Sequence, residues 1–456
     1  MQNNAALMGE ESITRLLIRF SLPATVGMLV MATYNIVDTI FVGMLGSDAI
    51  AALSVAFPFQ MLLGALGIGT GVGAASLISR SLGAGDEKTA RNAVGQVISL
   101  SVLYGIVVAL IGFFYLEPLL VLFGATPEIL ALTGEYVIII AGGSVMFFLI
   151  MGLNNALRGE GSPILSMYIM IISAGINIIL DPIFIFLLGL GVQGAAIATV
   201  LAKVVGVAIM LYHFTAGKSA IRIGFSCLAP RLSTIRKIYV IGFPAMFLQI
   251  STNLSLVIAN NILAVYGYLP IAALGLIFRL FMFALMPVIG ISQGLLPIIG
   301  YNFGAGKIER IGEAITKGVA LSTAIATFFG ALYFIWPELF MTMFSREQEL
   351  VALGAEALRI MVIMFPLIGG QVVFTVYFQA TGKGMPSLLL SILREVIFFI
   401  PLMLILSGWF GLIGIWASRP LSDLLAFLVT FYLISRELKR LGIPLLRSPA
   451  LSSLNK

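Results

Sequence analysis

Residues 164–188 read ILSMYIMIISAGINIILDPIFIFLL, an apolar run whose one ionisable side chain is Asp181. A membrane-spanning helix needs roughly 20 apolar residues, so this run is long enough to cross a bilayer. A carboxyl group at that depth is costly and persists where it faces a cavity, a partner or an ion path. Asp38 repeats the situation in an early apolar run. The whole chain follows suit: 456 residues, 60% hydrophobic and 10% charged, with a mean hydropathy of +1.10. Apolar runs recur from Leu16 to Leu433. Their breaks predict about twelve helices, starting near Leu16, Ile50, Ala93, Leu130, Ile164, Gln193, Ile235, Ile271, Ile315, Ala352, Ser387 and Leu412. The runs are continuous rather than alternating, which excludes a barrel. The expected fold is an all-α integral membrane protein with twelve transmembrane helices.

The formal net charge of +6 tempts a nucleic-acid reading, but the distribution opposes it. Basic residues fall in alternate loops: Arg15 and Arg19; Arg80, Lys88 and Arg91; Arg158; Lys218 to Lys237; Lys307, Arg310 and Lys317; Lys383; and Arg436 to Arg447. Arg346 is the exception on the opposite side. This is the positive-inside pattern. It places both termini in the cytoplasm, favours an even number of spans and argues against nucleic-acid partners; the expected location is the cell membrane of a prokaryote. Met1 to Gly9 does not read as a cleavable signal. One cysteine, Cys227, allows no internal disulfide and argues against a thiol site. The single histidine, His213, reads as interfacial rather than as a ligand.

The two halves match at an offset of about 221 residues. Ser21-Leu22-Pro23 pairs with Gly242-Phe243-Pro244, Leu82-Gly83-Ala84-Gly85 with Phe303-Gly304-Ala305-Gly306, and Gly194 with Gly414. Six spans per half run the same way through the membrane. Parallel repeats about an axis along the membrane normal are a transporter architecture. The expected organisation is a first lobe at 1–215, a cytoplasmic linker at 216–235 and a second lobe at 236–456 with a short tail. Asp38 maps near Ala259 or Asn260, and Asp181 near Leu404, so the acids belong to the first lobe alone.

Helix geometry collects further polar groups. Tyr34 and Asp38 are four apart, as are Asn177 and Asp181, so each pair shares a face. At 1.5 Å per residue, Asp38, Asp181, Tyr136 and Thr199 lie at similar depths in the outer half. Rotation about each helix is not fixed by this reasoning. Pro23 and Pro182 each remove a backbone donor and permit a bend; Pro23 is the candidate hinge. Gly64, Gly67, Gly69, Gly71 and Gly73 suit close helix packing. The 20 methionines suit packing and adaptable surfaces. Arg279, Arg359, Lys203 and Arg419 lie in or near spans, several of them able to snorkel. Arg394 and Glu395 read as a structural pair. Gln249, Asn253, Asn260 and Asn261 form a polar stripe.

In these residues the chain resembles the multidrug and toxic compound extrusion (MATE) family, closest to its DinF-like branch. The resemblance spans Leu16 to Leu433. It rests on the duplicated lobes, Ser21-Leu22-Pro23, Asn35-Ile36-Val37-Asp38, the paired Gly-Ala-Gly loops, Asn154 through Gly161, Asn177 through Pro182, and Gly194-Ala195-Ala196 with Ala198-Thr199. It implies a two-lobed exporter of large amphipathic or cationic compounds, driven by proton or sodium gradients, without a cofactor. It assigns Asp38, Asn177, Asp181 and Thr199 to a coupling network, with Tyr34 and Tyr136 beside it. Asn154, Gln249, Asn253 and Arg279 are candidate substrate contacts. Family members with a second-lobe cation site carry an acid where Gln249 stands, which argues against such a site here.

The combined expectation is a proton-coupled multidrug antiporter, working as a monomer among membrane lipids. Sodium remains the alternative ion, with Asp38, Asn177, Asp181 and Thr199 as hard oxygen ligands. A lipid or lipid-linked-sugar flippase would use the same fold. An intramembrane enzyme could use two aspartates as acid and base, but no nucleophile-base pair or metal cluster supports it. A passive channel would conduct without counter-transport.

Overall fold

A computed structural model describes residues 4–217 and 219–442. Lys218, Arg447 and the rest of the expected tail lie outside the described residues. Among those described, 9 helices are long and apolar enough to cross a membrane. Two bent pairs add a span each: Pro127–Gly142 with Ser144–Glu160, at 52°, and Gln348–Met361 with Phe365–Ala380, at 54°. The last of the nine helices, Gly384–Arg440, has 57 residues. That is about 85 Å of helix, far more than one hydrocarbon core. Gly411 interrupts it with φ 59° and ψ −134°, a conformation that suits a residue without Cβ. The stretch is therefore two spans, and the described residues form twelve. Eleven of the starts read from sequence fall within about two turns of an observed helix start, and the twelfth, Leu412, follows the break at Gly411.

The described residues form two compact units. One contains Pro23–Met246 and the segment ending at Met8; the other contains Gly9–Leu22 and Phe247 onward. The first helix, Ile13–Gly43, and the seventh, Leu232–Leu263, run unbroken through Pro23 and Pro244. Each contributes residues to both units, changing membership at Pro23 and just after Pro244.

In the first unit the early part of the seventh helix crosses the second, Ser47–Gly83, at very short range. A Cβ at Gly73 would lie 2.1 Å from the Ile238 carbonyl oxygen, and one at Gly69 2.8 Å from that of Gly242. Gly64, by contrast, faces open space. The tail of the expected linker is pinned to this unit. The Gln96 amide donates to the carbonyls of Cys227 (3.1 Å) and Ala229 (2.9 Å), and its oxygen accepts from the Arg231 N–H (3.0 Å). His213 is held near the end of the sixth helix: Nε2 lies 3.1 Å from Oε1 of buried Glu160, which also accepts from Ser219 (2.8 Å) and the Ala220 N–H (3.3 Å).

In the second unit the core is built around Tyr333, Phe365 and Trp416. Its N-terminal segment is tied down by cations at and just before the start of the ninth helix, Ile308–Ile335. Lys307 donates to the Gly9 carbonyl (2.8 Å), Arg310 to that of Glu11 (2.6 Å), and Lys317 to the Thr14 hydroxyl (2.7 Å).

Candidate functional site

Three helices of the first unit each present a polar pair at four-residue spacing: Tyr34 and Asp38 on the first, Asn177 and Asp181 on the fifth, and Thr199 and Lys203 on the sixth, Gly191–Thr215. Such pairs lie one above the other on a helix face. The fifth helix, Pro163–Pro182, continues into a wider π turn at Ile183–Leu187. Pro182 cannot donate to the Ile178 carbonyl, and π turns frequently accompany functional sites.

The pairs converge. Asp181 is fully buried, and Asn177, Thr199, Asp38 and Lys203 are all buried. The Asn177 amide donates to Asp181 Oδ1 at 3.2 Å and to Thr199 Oγ1 at 3.3 Å. The Asp38 and Asp181 carboxyls are close enough to interact directly. Tyr34 and Tyr136 stand within electrostatic reach of both. The Tyr136 hydroxyl accepts from Gln60 Nε2 at 2.9 Å. Lys203 Nζ sits 4.2 Å from the centre of the Phe147 ring and 5.9 Å from that of Tyr34, within electrostatic reach of Asp38.

Three buried oxygens here have no hydrogen-bond partner: Asp38 Oδ1, Asp181 Oδ2 and Asn177 Oδ1. An unmet buried acceptor costs about 1–3 kcal/mol. Their clustering leaves a site short of positive charge or hydrogen. It can take up a proton, or a hard monovalent cation through two carboxylates, an amide and a hydroxyl. No group of three or more His, Cys, Asp or Glu among the described residues could hold a metal ion.

The remaining candidates lie elsewhere. Asn154 Oδ1 accepts from Arg158 at 2.5 Å and from Ser166 at 2.8 Å, and Arg158 also donates to Asn155 at 2.8 Å. Asn154 thus belongs to a separate buried cluster around Arg158. Gln249 and Asn253 are half-buried and Arg279 is exposed, all in the second unit. Pro23 stands at the residue where the first helix changes unit.

Lys203, Gln60 and Phe147 were not in the sequence-derived site. Lys203 carried a usable signal: it is four residues after Thr199, the spacing that identified the other two pairs. Arg419 also departs from expectation, because it turns inward rather than snorkelling. It bonds Glu395 at 3.1 Å and Asp423 at 3.6 Å, while Arg394 bonds Asp423 at 2.9 Å. Glu395 and Asp423 are buried, so the second unit contains a four-member charge network.

The MatE family profile matches residues 23–183 and again 244–405. The two matches begin 221 residues apart, which is the repeat offset. The chain is 31% identical over 433 residues to the multidrug export protein MepA of Staphylococcus aureus strain MSSA476, covering 93% of this chain and 95% of that one. It is 31% identical over 428 residues to MepA of Staphylococcus haemolyticus strain JCSC1435, covering 93% and 94%. Among solved structures, a MATE protein in the bent conformation superimposes with a TM-score of 0.92 at 26% identity, covering 97% of this chain and 99% of that one. An outward-facing multidrug resistance MATE transporter of the MOP superfamily gives 0.90 at 27%, with the same coverage. A Pyrococcus furiosus MOP superfamily transporter, described as having reversed binding-pocket polarity, gives 0.87 at 26%, covering 95% and 98%.

Proposed function

The chain belongs to the multidrug and toxic compound extrusion family of transporters, and on that premise we propose that it exports amphipathic or cationic organic compounds by antiport with protons. Its relatives are named multidrug export proteins, which supports the substrate class. The observation that carries proton coupling is the set of three unmet oxygens on Asp38, Asp181 and Asn177 in a buried site. One added proton neutralises a carboxylate and converts an unmet acceptor into a donor, here between Asp38 and Asp181.

The cycle is alternating access. With both acids ionised, the first unit favours a cationic substrate. Proton entry from outside removes charge and rearranges the bonds that Asn177 makes to Asp181 and Thr199. The first helix then repacks about Pro23, substrate leaves outward, and the proton is released inward. Tyr34 and Tyr136 shape the site, and Gln249, Asn253 and Arg279 are the proposed polar substrate contacts of the second unit. Two lobes, 1–215 and 236–456, joined by 216–235, carry the motion in a monomer of the DinF-like branch. The protein resides in a prokaryotic cell membrane with both termini cytoplasmic. The same unmet oxygens also support a second reading, in which Asp38, Asn177, Asp181 and Thr199 hold a sodium ion.

Transport in proteoliposomes with pH and sodium gradients imposed separately tests the proposal. Wild type exports under the pH gradient, while Asp38→Asn and Asp181→Asn each lose that export. Full pH-driven export by both variants would overturn proton coupling, and export driven by sodium alone would select the second reading.

A further inference from the structure

We propose that Lys203 sets the ion preference of the acid site, its ammonium acting as a resident counter-charge that disfavours a metal cation while leaving a place for a proton. The inference rests on the proton-coupling reading and adds a specificity residue to it.

Lys203 is buried at a depth where a lone cation is costly. It extends from the Thr199 face of the sixth helix onto two aromatic rings, Phe147 and Tyr34. Aromatic faces hold a desolvated ammonium without consuming a carboxylate. From there its charge acts on Asp38, which in turn interacts with Asp181. The groups facing it are thus Tyr34 and Asp38 from the first helix and Phe147 from the fourth span, with Asp181 behind Asp38.

A sodium ion and a proton make different demands on this arrangement. Sodium, like other hard cations, needs several oxygens turned toward one centre. A proton needs a single acceptor. The ammonium, whose charge reaches Asp38, adds a fixed positive charge beside any such centre. It also repels a second cation placed among those oxygens. Between unit charges a few ångströms apart in a partly screened interior, that repulsion is worth about tenfold or more in affinity. A proton in the Asp38–Asp181 hydrogen bond requires no common centre, and the two carboxylates with one ammonium leave a single negative charge for it to cancel.

The test measures sodium binding directly on purified full-length protein. Radioactive sodium binding and the sodium-dependent rise in unfolding temperature are recorded in near-neutral buffer, with choline chloride as the ionic-strength control. Wild type and Lys203→Arg are expected to show neither. Lys203→Met is expected to bind sodium at least about tenfold more tightly, and adding Asp38→Asn to it should abolish the gain. Unchanged sodium affinity in Lys203→Met overturns the proposal. So does sodium binding by wild type as tight as that of the variant, or sodium binding by wild type with Lys203→Met failing to fold. Wild type that binds no sodium, paired with a gain in Lys203→Gln, supports it if Lys203→Met does not fold. Loss of pH-driven export in Asp38→Asn and Asp181→Asn without a sodium gain in Lys203→Met removes only the role of Lys203. Retained export in those two variants removes the coupling reading itself.

Discussion

Two polar clusters occupy corresponding stretches of the repeat, and one is closed where the other is open. With Gly194 aligned to Gly414, Thr199 corresponds to Arg419 and Lys203 to Asp423; in the earlier helix Tyr34 corresponds to Ser255 and Asp38 to Ala259. In the second unit Arg394 and Arg419 answer Glu395 and Asp423 charge for charge. In the first, two carboxylates lie together with a single ammonium within reach of one of them, Asp38, and three oxygens lack a partner. Burial is common to both, so burial alone does not separate a working charge from a structural one. What distinguishes the first cluster is carboxyl oxygens without a partner.

The largest expected effect breaks the closed cluster. Glu395→Ala removes a buried carboxylate and leaves two half-buried guanidinium groups short of a partner, and should lower stability by about 3–5 kcal/mol, read as a thermal unfolding shift in detergent. A near-neutral result would place the second network with the open one. Asp181→Asn should act in the opposite sense. It removes a buried like charge from beside Asp38, and a stability gain of about 1–2 kcal/mol is expected while pH-driven export is lost. A destabilisation of the size seen for Glu395→Ala would erase the contrast. The smallest effect calibrates both against a carboxylate in water. Asp86 caps the third helix, Glu87–Phe114, by accepting from the Thr89 N–H at 3.0 Å. The Thr89 side chain, and then its backbone, hold this carboxyl below the usual carboxylate range. A depressed folded value stabilises above the unfolded value and is lost as pH falls through the folded one. Asp86→Ala should therefore cost about 0.5 kcal/mol at neutral pH, with the difference from wild type vanishing in acid below the ordinary aspartate range, followed by thermal unfolding across pH.

Much of the fold was legible because hydrocarbon thickness imposes a length on every span. All twelve starts followed from that length and from glycine and proline breaks. The break at Gly411 was legible as a boundary, while the bends at 142–144 and 361–365 were not, since they lie within single apolar runs. Asp38 and Asp181 were visible as isolated charges, and their Tyr34 and Asn177 partners through four-residue spacing. Lys203 had the same spacing from Thr199 but was masked by the general tendency of lysines to snorkel. Gln60 and Phe147 join Tyr136 and Lys203 from other helices, and only helix rotation, which periodicity leaves free, decides such meetings. The Arg419 pairing was hidden for the same reason: its partner Glu395 lies on the preceding span.

The bonds from Lys307, Arg310 and Lys317 to Gly9, Glu11 and Thr14 span 298, 299 and 303 residues. A ribosome adding about 5–20 residues per second needs roughly 15–60 s to produce those partners after the N-terminal segment has emerged. During that interval the opening helix is threaded into the bilayer with its start unanchored. These three anchors therefore close only after two-thirds of the polypeptide has been made.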